Sequence, residues 1–302
     1  LNNLDIDSII SSGQLEQLIE DNSKCSLPQM LSTERPDKAA NHLLSGRVVV
    51  IVNGSPYVLI MPCVFVDFLS SAEDPNLKFQ YANLLKFVRL VAFFITLLLP
   101  GLYVAITNFH QEIIPTELLF AIVASRESVP FPIIVEILAM EISFELIREA
   151  SLRVPSPIGT TIGIIGALIL GQAAVEASIV SPILIIIVAI TGITSFAIPD
   201  FYLSFHLRIV RFLYIIAGFL AGFLGIGIVL FSHLVLLCSL KSFGVSYLAP
   251  FVPATSKNNK AYFMPPFWNR EKRPDFLNTK RPQKEARISM KWKYKIGGNN
   301  GN

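Results

Sequence analysis

The chain has 302 residues, of which 52% are hydrophobic and only 16% are charged, and its formal net charge is +3. Soluble proteins average about 25% charged residues, and the apolar residues here stand in long uninterrupted blocks, which argues against an ordinary soluble globular protein. No nucleophile elbow, phosphate-binding loop, zinc-protease or dinucleotide-binding motif is present, so we expect a protein that is not an enzyme and needs no cofactor.

Charge is unevenly distributed along the chain. Residues 257–302 carry a local net charge of +9, which leaves −6 for the rest. A basic tail beside a membrane domain favours binding to anionic lipid on the cytoplasmic surface, whereas nothing else points to nucleic acid. The three cysteines and four histidines are scattered in sequence. We therefore expect free thiols and no metal site.

Residues 1–83 are expected to be soluble and cytoplasmic. A short helix is predicted within residues 9–20. Residues 47–52 and 57–61 predict two strands, because the Asn53-Gly54 pair between apolar runs is a strong hairpin signal. Two strands do not make a stable sheet alone, so we expect the end of a truncated soluble α/β domain.

Residues 84–245 predict an α-helical membrane domain, and residues 246–302 a basic cytoplasmic tail. Four apolar blocks are long enough to cross a bilayer, at residues 88–107, 157–175, 179–198 and 212–238. A fifth helix, residues 133–152, carries several glutamates and is expected to lie embedded in the membrane interface or to line an aqueous cavity.

The number of crossings follows from which side the charges occupy. Lys78, Lys86 and Arg89 before the first block, and the basic tail at the other end, both favour the cytoplasm, which requires an even number of crossings. Four spans plus one embedded helix meet this requirement but leave Arg208 and Arg211 outside. If the glutamate-rich helix crosses fully, these arginines move inside and the tail moves outside.

Acidic residues in the membrane domain are candidates for an ion pathway. Glu136, Glu141 and Glu145 stand in one apolar helix, and in an oligomer each would be repeated as a ring that favours cations. The alternative is an interfacial helix in which Arg148 pairs with its neighbours. Glu176, in a short turn, would concentrate cations at a pore mouth or would be a solvated turn residue.

Glycines indicate where helices approach closely. Gly159 and Gly163 form one GxxxG pattern, and Gly218 and Gly222 form another. These surfaces would pack within one subunit, pack between subunits, or flex during gating.

Eight stretches, in order along residues 33–245, resemble the GerA-type family of A subunits of spore nutrient-germinant receptors. They are Thr33-Glu-Arg-Pro-Asp37, Leu97-Leu-Leu-Pro-Gly-Leu-Tyr-Val-Ala105, Phe109-His-Gln-Glu112, Val129-Pro-Phe-Pro132, Phe144-Glu-Leu-Ile-Arg-Glu-Ala150, Gly171-Gln-Ala-Ala-Val175, Ser195-Phe-Ala-Ile-Pro199 and Ser242-Phe-Gly-Val245.

The resemblance implies a protein of the inner membrane of the endospore. It implies homo-oligomers that form a cation channel and trigger germination, together with a transporter-like B subunit and a lipoprotein C subunit. Two alternatives stay open at this point: a secondary transporter, although no internal repeat is visible, and a membrane scaffold subunit of the receptor.

Overall fold

The computed structural model describes residues 8–152, 158–254, 262–266 and 273–283. It is mostly helical. Its elements, in chain order, are α1 Ser12–Ile19, β1 Leu31–Thr33, α2 Pro36–Leu44, β2 Val48–Ile51, β3 Val58–Met61, α3 Phe65–Phe68, α4 Phe79–Phe109, α5 Thr116–Arg126, α6 Ile133–Leu152, α7 Ile158–Glu176, α8 Pro182–Phe196, α9 Phe201–Ser239, β4 Lys241–Ser242 and β5 Val245–Ser246.

The chain divides into two compact units. The first, here called the sheet unit, contains residues 1–89, 199–203 and 234–302; the second, the helical unit, contains residues 90–198 and 204–233. Helix α4 leaves the sheet unit at residue 89, and both ends of α9 belong to it. The expected divisions at residues 83/84 and 245/246 remain predictions.

The sheet unit contains the predicted hairpin. Strands β2 and β3 pair antiparallel, with Val48 opposite Met61 and Ile51 opposite Val58, and Gly54 between them has a φ of +86°. A third strand, β1, which the sequence pattern did not predict, pairs with the other edge of β3 and gives the order β1-β3-β2. The predicted first helix is confirmed as α1, whose Leu15 packs with Met30 and Leu59.

The short hairpin of β4 and β5 belongs to the sheet unit although it follows α9 in sequence. The Ser242 hydroxyl donates to the Gln29 carbonyl at 2.7 Å and accepts the Cys63 amide at 3.1 Å. Phe68 stacks on Tyr247 at a ring distance of 5.9 Å. A buried ion pair, Arg47 with Asp67 at 2.6 Å, lies in the same unit. Burial would raise the pKa of Asp67, but Arg47 keeps it below the usual value.

In the described part of the chain, two helices are long and apolar enough to cross a membrane, α4 and α9. The apolar block expected at residues 88–107 lies within α4, which starts earlier, at Phe79, and continues through Pro100.

Helices α6, α7 and α8 run alternately up and down. The predicted helix at residues 133–152 is confirmed as α6. Gly163 of α7 faces Ser151 of α6 and Gly166 faces Ile147, so α6 and α7 are antiparallel. Ser181 before α8 contacts Glu136, and Gly192 of α8 contacts Arg148, so α6 and α8 are parallel.

Helix α9 is a helical hairpin, where the sequence predicts one span at residues 212–238. Helical geometry breaks at Ala221 and Gly222, and the chain turns back, because Nε2 of His206 lies 3.5 Å from Nε2 of His233. A straight helix would separate these residues by about 40 Å. A Cβ on Gly225 would collide with the Ala217 carbonyl, which shows how tightly the two arms, residues 201–220 and 223–239, meet.

The first arm of α9 runs parallel to α4. A Cβ on Gly101 would lie 2.7 Å from the Tyr214 carbonyl oxygen, and one on Gly218 would lie 2.5 Å from the Gly101 oxygen. Further along both helices in the same direction, Gly222 lies beside Phe109 and His110. Neighbouring apolar residues from α4, α6, the turn before α8, α8 and α9 form the core of the helical unit: Tyr103, Val104, Ile133, Ile137, Met140, Val180, Leu184, Val188 and Ile215.

The predicted glycine contacts therefore lie within one chain where the structure describes them. Gly163 allows α7 to approach α6, and Gly218 allows α9 to approach α4. Gly159 lies in α7, but its surroundings are outside the described residues. Contacts of these glycines between subunits remain a prediction.

Replacing Gly222 with alanine should destabilise the protein by roughly 1–3 kcal/mol. Its φ of +58° with ψ of −138° is a conformation that only glycine adopts readily, and the added Cβ would lie 2.8 Å from Cε1 of His110. Unfolding of the detergent-solubilised protein by denaturant measures the change.

The matched control is Gly227→Ala in the second arm of α9, where a Cβ meets nothing within 4 Å. This substitution should be neutral or slightly stabilising. Equal stability of the two variants would contradict the tight turn at Gly222.

Candidate functional site

A group of buried charges joins α6 to the first arm of α9. Glu141 and Glu145 lie one turn apart on α6, and Arg208 and Arg211 lie one turn apart on α9. Arg211 Nη2 is 2.7 Å from Glu141 Oε2 and donates to Glu145 Oε1 at 3.0 Å, while Arg208 Nη1 donates to Glu145 Oε2 at 2.9 Å. Glu141 and Arg211 are both fully buried.

Arg148 extends this group to α8. It lies one turn after Glu145, with 3.8 Å between Nη1 and Glu145 Oε1. Its Nη2 donates to the Gly192 carbonyl at 3.2 Å and to the Ser195 hydroxyl. Its guanidinium lies 4.2 Å from the ring centre of Phe196, where a cation and an aromatic face attract. The charged group therefore touches three helices, α6, α8 and α9.

The cluster of Glu141, Glu145, Arg148, Arg208 and Arg211 has three positive and two negative charges, a net charge of +1. Within the described residues, Nε and Nη1 of Arg211 and both oxygens of Glu141 make no hydrogen bond, although Glu141 is within ion-pair distance of Arg211. Removing charges from water is expensive, so a cluster of this kind holds a defined geometry only while every partner is present.

Glu136 is in a different place and has a different partner. It is 1% exposed, and its Oε1 accepts from Arg126 of α5 at 3.2 Å. Its Oε2 accepts from the backbone amide of Ser181 at 3.1 Å, directly before α8. A carboxylate at the start of a helix is stabilised by the helix dipole, so Glu136 fixes the turn between α7 and α8.

Glu176 is exposed at the end of α7, before a turn in which Ser178 has a φ of +54°. Gln172, one turn earlier on the same helix, is exposed too. Of the four acidic residues proposed from the sequence, the structure thus brings Glu141 and Glu145 together. It places Glu136 with Arg126 and leaves Glu176 at the surface of the described chain.

Sequence reasoning identifies Arg148 as the one nearby base for these glutamates, and it misses Arg126, Arg208 and Arg211. The signal was present, because arginines inside apolar segments are costly unless an acid faces them. The hydropathy pattern does not show in which direction α9 runs relative to α6. That direction brings Arg208 and Arg211 to face α6.

Two of the histidines, scattered in sequence, meet in the structure. His206 and His233 face each other across the α9 hairpin, and the ring of Tyr214 lies 6.5 Å from that of His233. In the described ranges, no group of three or more His, Cys, Asp or Glu side chains is arranged to hold a metal ion.

These features define a mostly helical protein with membrane-capable helices and a buried ion network, linked to a small antiparallel sheet. A family model described as the Bacillus/Clostridium GerA spore germination protein matches residues 1–276, and the chain belongs to this family. The resemblance found in the sequence is thereby confirmed.

Curated relatives agree with this assignment. Spore germination protein KA of Bacillus subtilis (strain 168) is 50% identical over 279 residues, covering 92% of this chain and 51% of the relative. Spore germination protein GerLA of Bacillus cereus is 42% identical, covering 91% and 56%. The uncharacterized membrane protein YfkQ of Bacillus subtilis (strain 168) is 41% identical, covering 93% and 55%.

The chain spans about half the length of the curated relatives it matches. No solved structure matches it.

Arg211→Gln should destabilise the protein by roughly 3–5 kcal/mol, because it leaves the fully buried Glu141 carboxylate without a cation. The double variant Glu141→Gln/Arg211→Gln should recover part of this loss, since it removes the unpaired charge. Denaturant unfolding of the wild type, both single variants and the double variant gives the coupling energy.

Arg35→Gln is the control, because the Arg35–Asp37 pair is about half exposed at 2.9 Å. Its loss should cost less than about 1 kcal/mol. An Arg211→Gln variant as stable as Arg35→Gln would show that the buried network contributes nothing.

Proposed function

We propose that this chain is part of the A subunit of a nutrient-germinant receptor of bacterial endospores, and that it works as an oligomeric membrane protein rather than as an enzyme. Membership of the GerA family and relatives named as spore germination proteins support this proposal. The resemblance adds a transporter-like B subunit, a lipoprotein C subunit and anionic lipid as partners, in the inner membrane of the spore.

The chain is further proposed to cross the membrane six times, not four. The crossing segments are α4, α6, α7, α8 and the two arms of α9, whose residues 201–220 and 223–239 would be roughly 30 and 25 Å long. Six is an even number, so the amino-terminal region and the basic tail share the cytoplasmic side. Arg208 and Arg211 then lie near the cytoplasmic end, in accord with the charge rule.

Cysteine labelling distinguishes six crossings from four. In a variant without Cys25, Cys63 and Cys238, a cysteine at Ala177 should react with an impermeant thiol reagent added outside intact cells. A cysteine at Ala197 should react only after permeabilisation, because α8 returns the chain to the cytoplasm.

The four-span arrangement predicts the reverse pattern, with residue 177 inside and residue 197 outside. A tail cysteine at Ala254, which is exposed, is the shared control, since both arrangements place it inside. Labelling of that position from outside would contradict both.

Within this receptor, we propose that α7 borders a cation pathway in the oligomer. The supporting observation is that Gln172 and Glu176 stand one turn apart on an exposed face of α7, beside the exposed Ile169. In the six-crossing arrangement Glu176 lies at the outer end of α7 and Gln172 lies one turn deeper, where a polar side chain is kept from lipid and faces water or another subunit. Repeated around a symmetry axis, Glu176 would form a negative ring that favours cations.

Glu136, Glu141 and Glu145 were proposed for the same role on the ground that Arg148 alone could neutralise them. Each is paired with an arginine in this chain. We therefore propose Glu176 as the strongest of the four candidates. For the other three, loss of charge should chiefly disturb helix packing.

Glu176→Gln should assemble normally but lower the preference of the reconstituted channel for cations over anions by severalfold, because glutamine keeps the shape and removes the charge. Reversal potentials in planar bilayers with a salt gradient measure this ratio. Glu117→Gln, another exposed acid, is the control and should conduct like the wild type.

Unchanged selectivity in Glu176→Gln would remove this residue from the pathway. Saturable solute uptake without conductance would favour the secondary transporter. The absence of both uptake and conductance would favour a scaffold subunit.

A further inference from the structure

A partly open cavity of about 120 Å³ lies within the sheet unit, beside α1. Its lining includes two carboxylates, Glu16 of α1 and Glu20 directly after it, which stand one helical turn apart. Tyr202, in the first turn of α9, and a loop that contains Cys25 supply other walls. No basic side chain belongs to the lining that the described residues form, so the cavity is acidic and partly aromatic.

Glu16 is buried without a partner, although it lines the cavity. The residue is 8% exposed, and among the described residues no hydrogen bond or ion pair reaches its carboxylate. Burial, together with the negative charges of Glu20 and Asp200, raises the pKa of Glu16 to about 7. A carboxylate that has lost water and gained no cation costs free energy, so a positive ligand in the space beside it would be stabilising.

Basic residues in this part of the described chain do not neutralise the two cavity carboxylates. Lys24, in the loop after α1, is exposed and is not part of the lining. The charge of Lys38 acts on Asp200, which also accepts a backbone amide in the first turn of α9 at 2.9 Å. Asp200 therefore has partners of its own, and the negative charge of Glu16 and Glu20 is left for a ligand.

One wall of the cavity is fixed by hydrogen bonds. Gln29 Oε1 accepts the Asn22 backbone amide at 3.1 Å, and Gln29 Nε2 donates to the Asn22 carbonyl at 2.8 Å. These two bonds close the loop of residues 22–29, which supplies Cys25, Leu27 and Pro28 to the lining. A loop held in this way keeps its shape without a ligand, so binding does not have to order it first.

The lining selects a ligand by charge and by size. Two carboxylates attract a cation and repel any molecule that carries a carboxylate of its own. An aromatic ring such as that of Tyr202 attracts organic ammonium ions through its π electrons. The volume corresponds to roughly four water molecules of about 30 Å³ each, so the ligand has only a few heavy atoms. In the described part of the chain, no cluster of three metal-ligating side chains offers a metal ion instead.

We propose that this cavity binds a small organic ammonium ion, namely a primary amine without a carboxylate. Glu16 and Glu20 hold its positive charge, and Tyr202 contacts its carbon atoms. This binding site goes beyond the proposed function, which assigns cation movement to α7 in the oligomer. It requires neither that the chain conducts ions nor that it forms an oligomer.

Ethanolammonium is the probe, and ethylene glycol is a molecule of the same size and shape without the charge. Saturation-transfer NMR on the full chain in detergent should show saturable binding of ethanolammonium, with a Kd of about 1 mM, and no binding of ethylene glycol. Glu16→Gln should weaken binding by roughly tenfold, because it removes the buried charge. Glu20→Gln should weaken it severalfold, since Glu20 is only partly buried.

Glu34→Gln is the matched control, because Glu34 is an exposed acid of the sheet unit outside the lining. This variant should bind like the wild type. Cys63, which is fully buried in the same unit, should resist alkylation by iodoacetamide in every folded variant. If Glu16→Gln exposes Cys63, the Glu20→Gln variant decides the outcome.

Four results would overturn the proposal. The wild type does not bind ethanolammonium, or it binds ethylene glycol equally well. The folded glutamine variant of Glu16 or, in its place, of Glu20 binds as tightly as the wild type. Potassium at the same concentration displaces ethanolammonium, which would show a site for any monovalent cation.

Discussion

The helical unit depends on the contact of Glu141 and Glu145 with Arg208 and Arg211. Helices surrounded by lipid gain little from burying apolar side chains against each other, so their register must come from close packing and from polar contacts. An ion pair with both partners buried, as between Glu141 and Arg211, tolerates almost no shift, because a displacement of one residue would leave a charge alone. The pairing thus sets the height of α6 against α9.

The direction of the first arm of α9 is what makes this pairing possible. This arm, which precedes the turn at Gly222, runs parallel to α4 and antiparallel to α6. Arg208 and Arg211 then meet Glu145 and Glu141 in the order that antiparallel helices require. Gly101 and Gly218 remove side chains where α4 and this arm touch, which lets their backbones approach closely. The direction of the first arm and its close contact with α4 together place the two arginines opposite α6.

Elements whose signal is local could be predicted from the sequence. The β2–β3 hairpin follows from Asn53-Gly54, and the helix predicted at residues 133–152 is confirmed as α6 with the same bounds. Strand β1 was missed because its three residues are too few to show alternation. The α9 turn was missed because it occurs inside an apolar run, without the polar residues that usually mark a reversal.

The same reason explains why the partners of the glutamates were missed. Arg208 is 63 residues from Glu145 along the chain, and no periodicity relates residues so far apart. Hydropathy shows that a segment prefers lipid but not which of its faces meets which neighbour. The composition of the charged cluster was therefore visible in the sequence, while its pairing required the topology of the helices.

The charge of the cluster bears on where ions could pass. Three arginines and two glutamates leave one net positive charge in a medium that screens it poorly. A cation beside this cluster would be repelled, so the cluster favours a role in holding α6, α8 and α9 together. The exposed end of α7 differs, because Glu176 lies there without a basic residue among its described contacts. Under the proposed function, these charges favour a cation pathway along α7 over one beside the arginines.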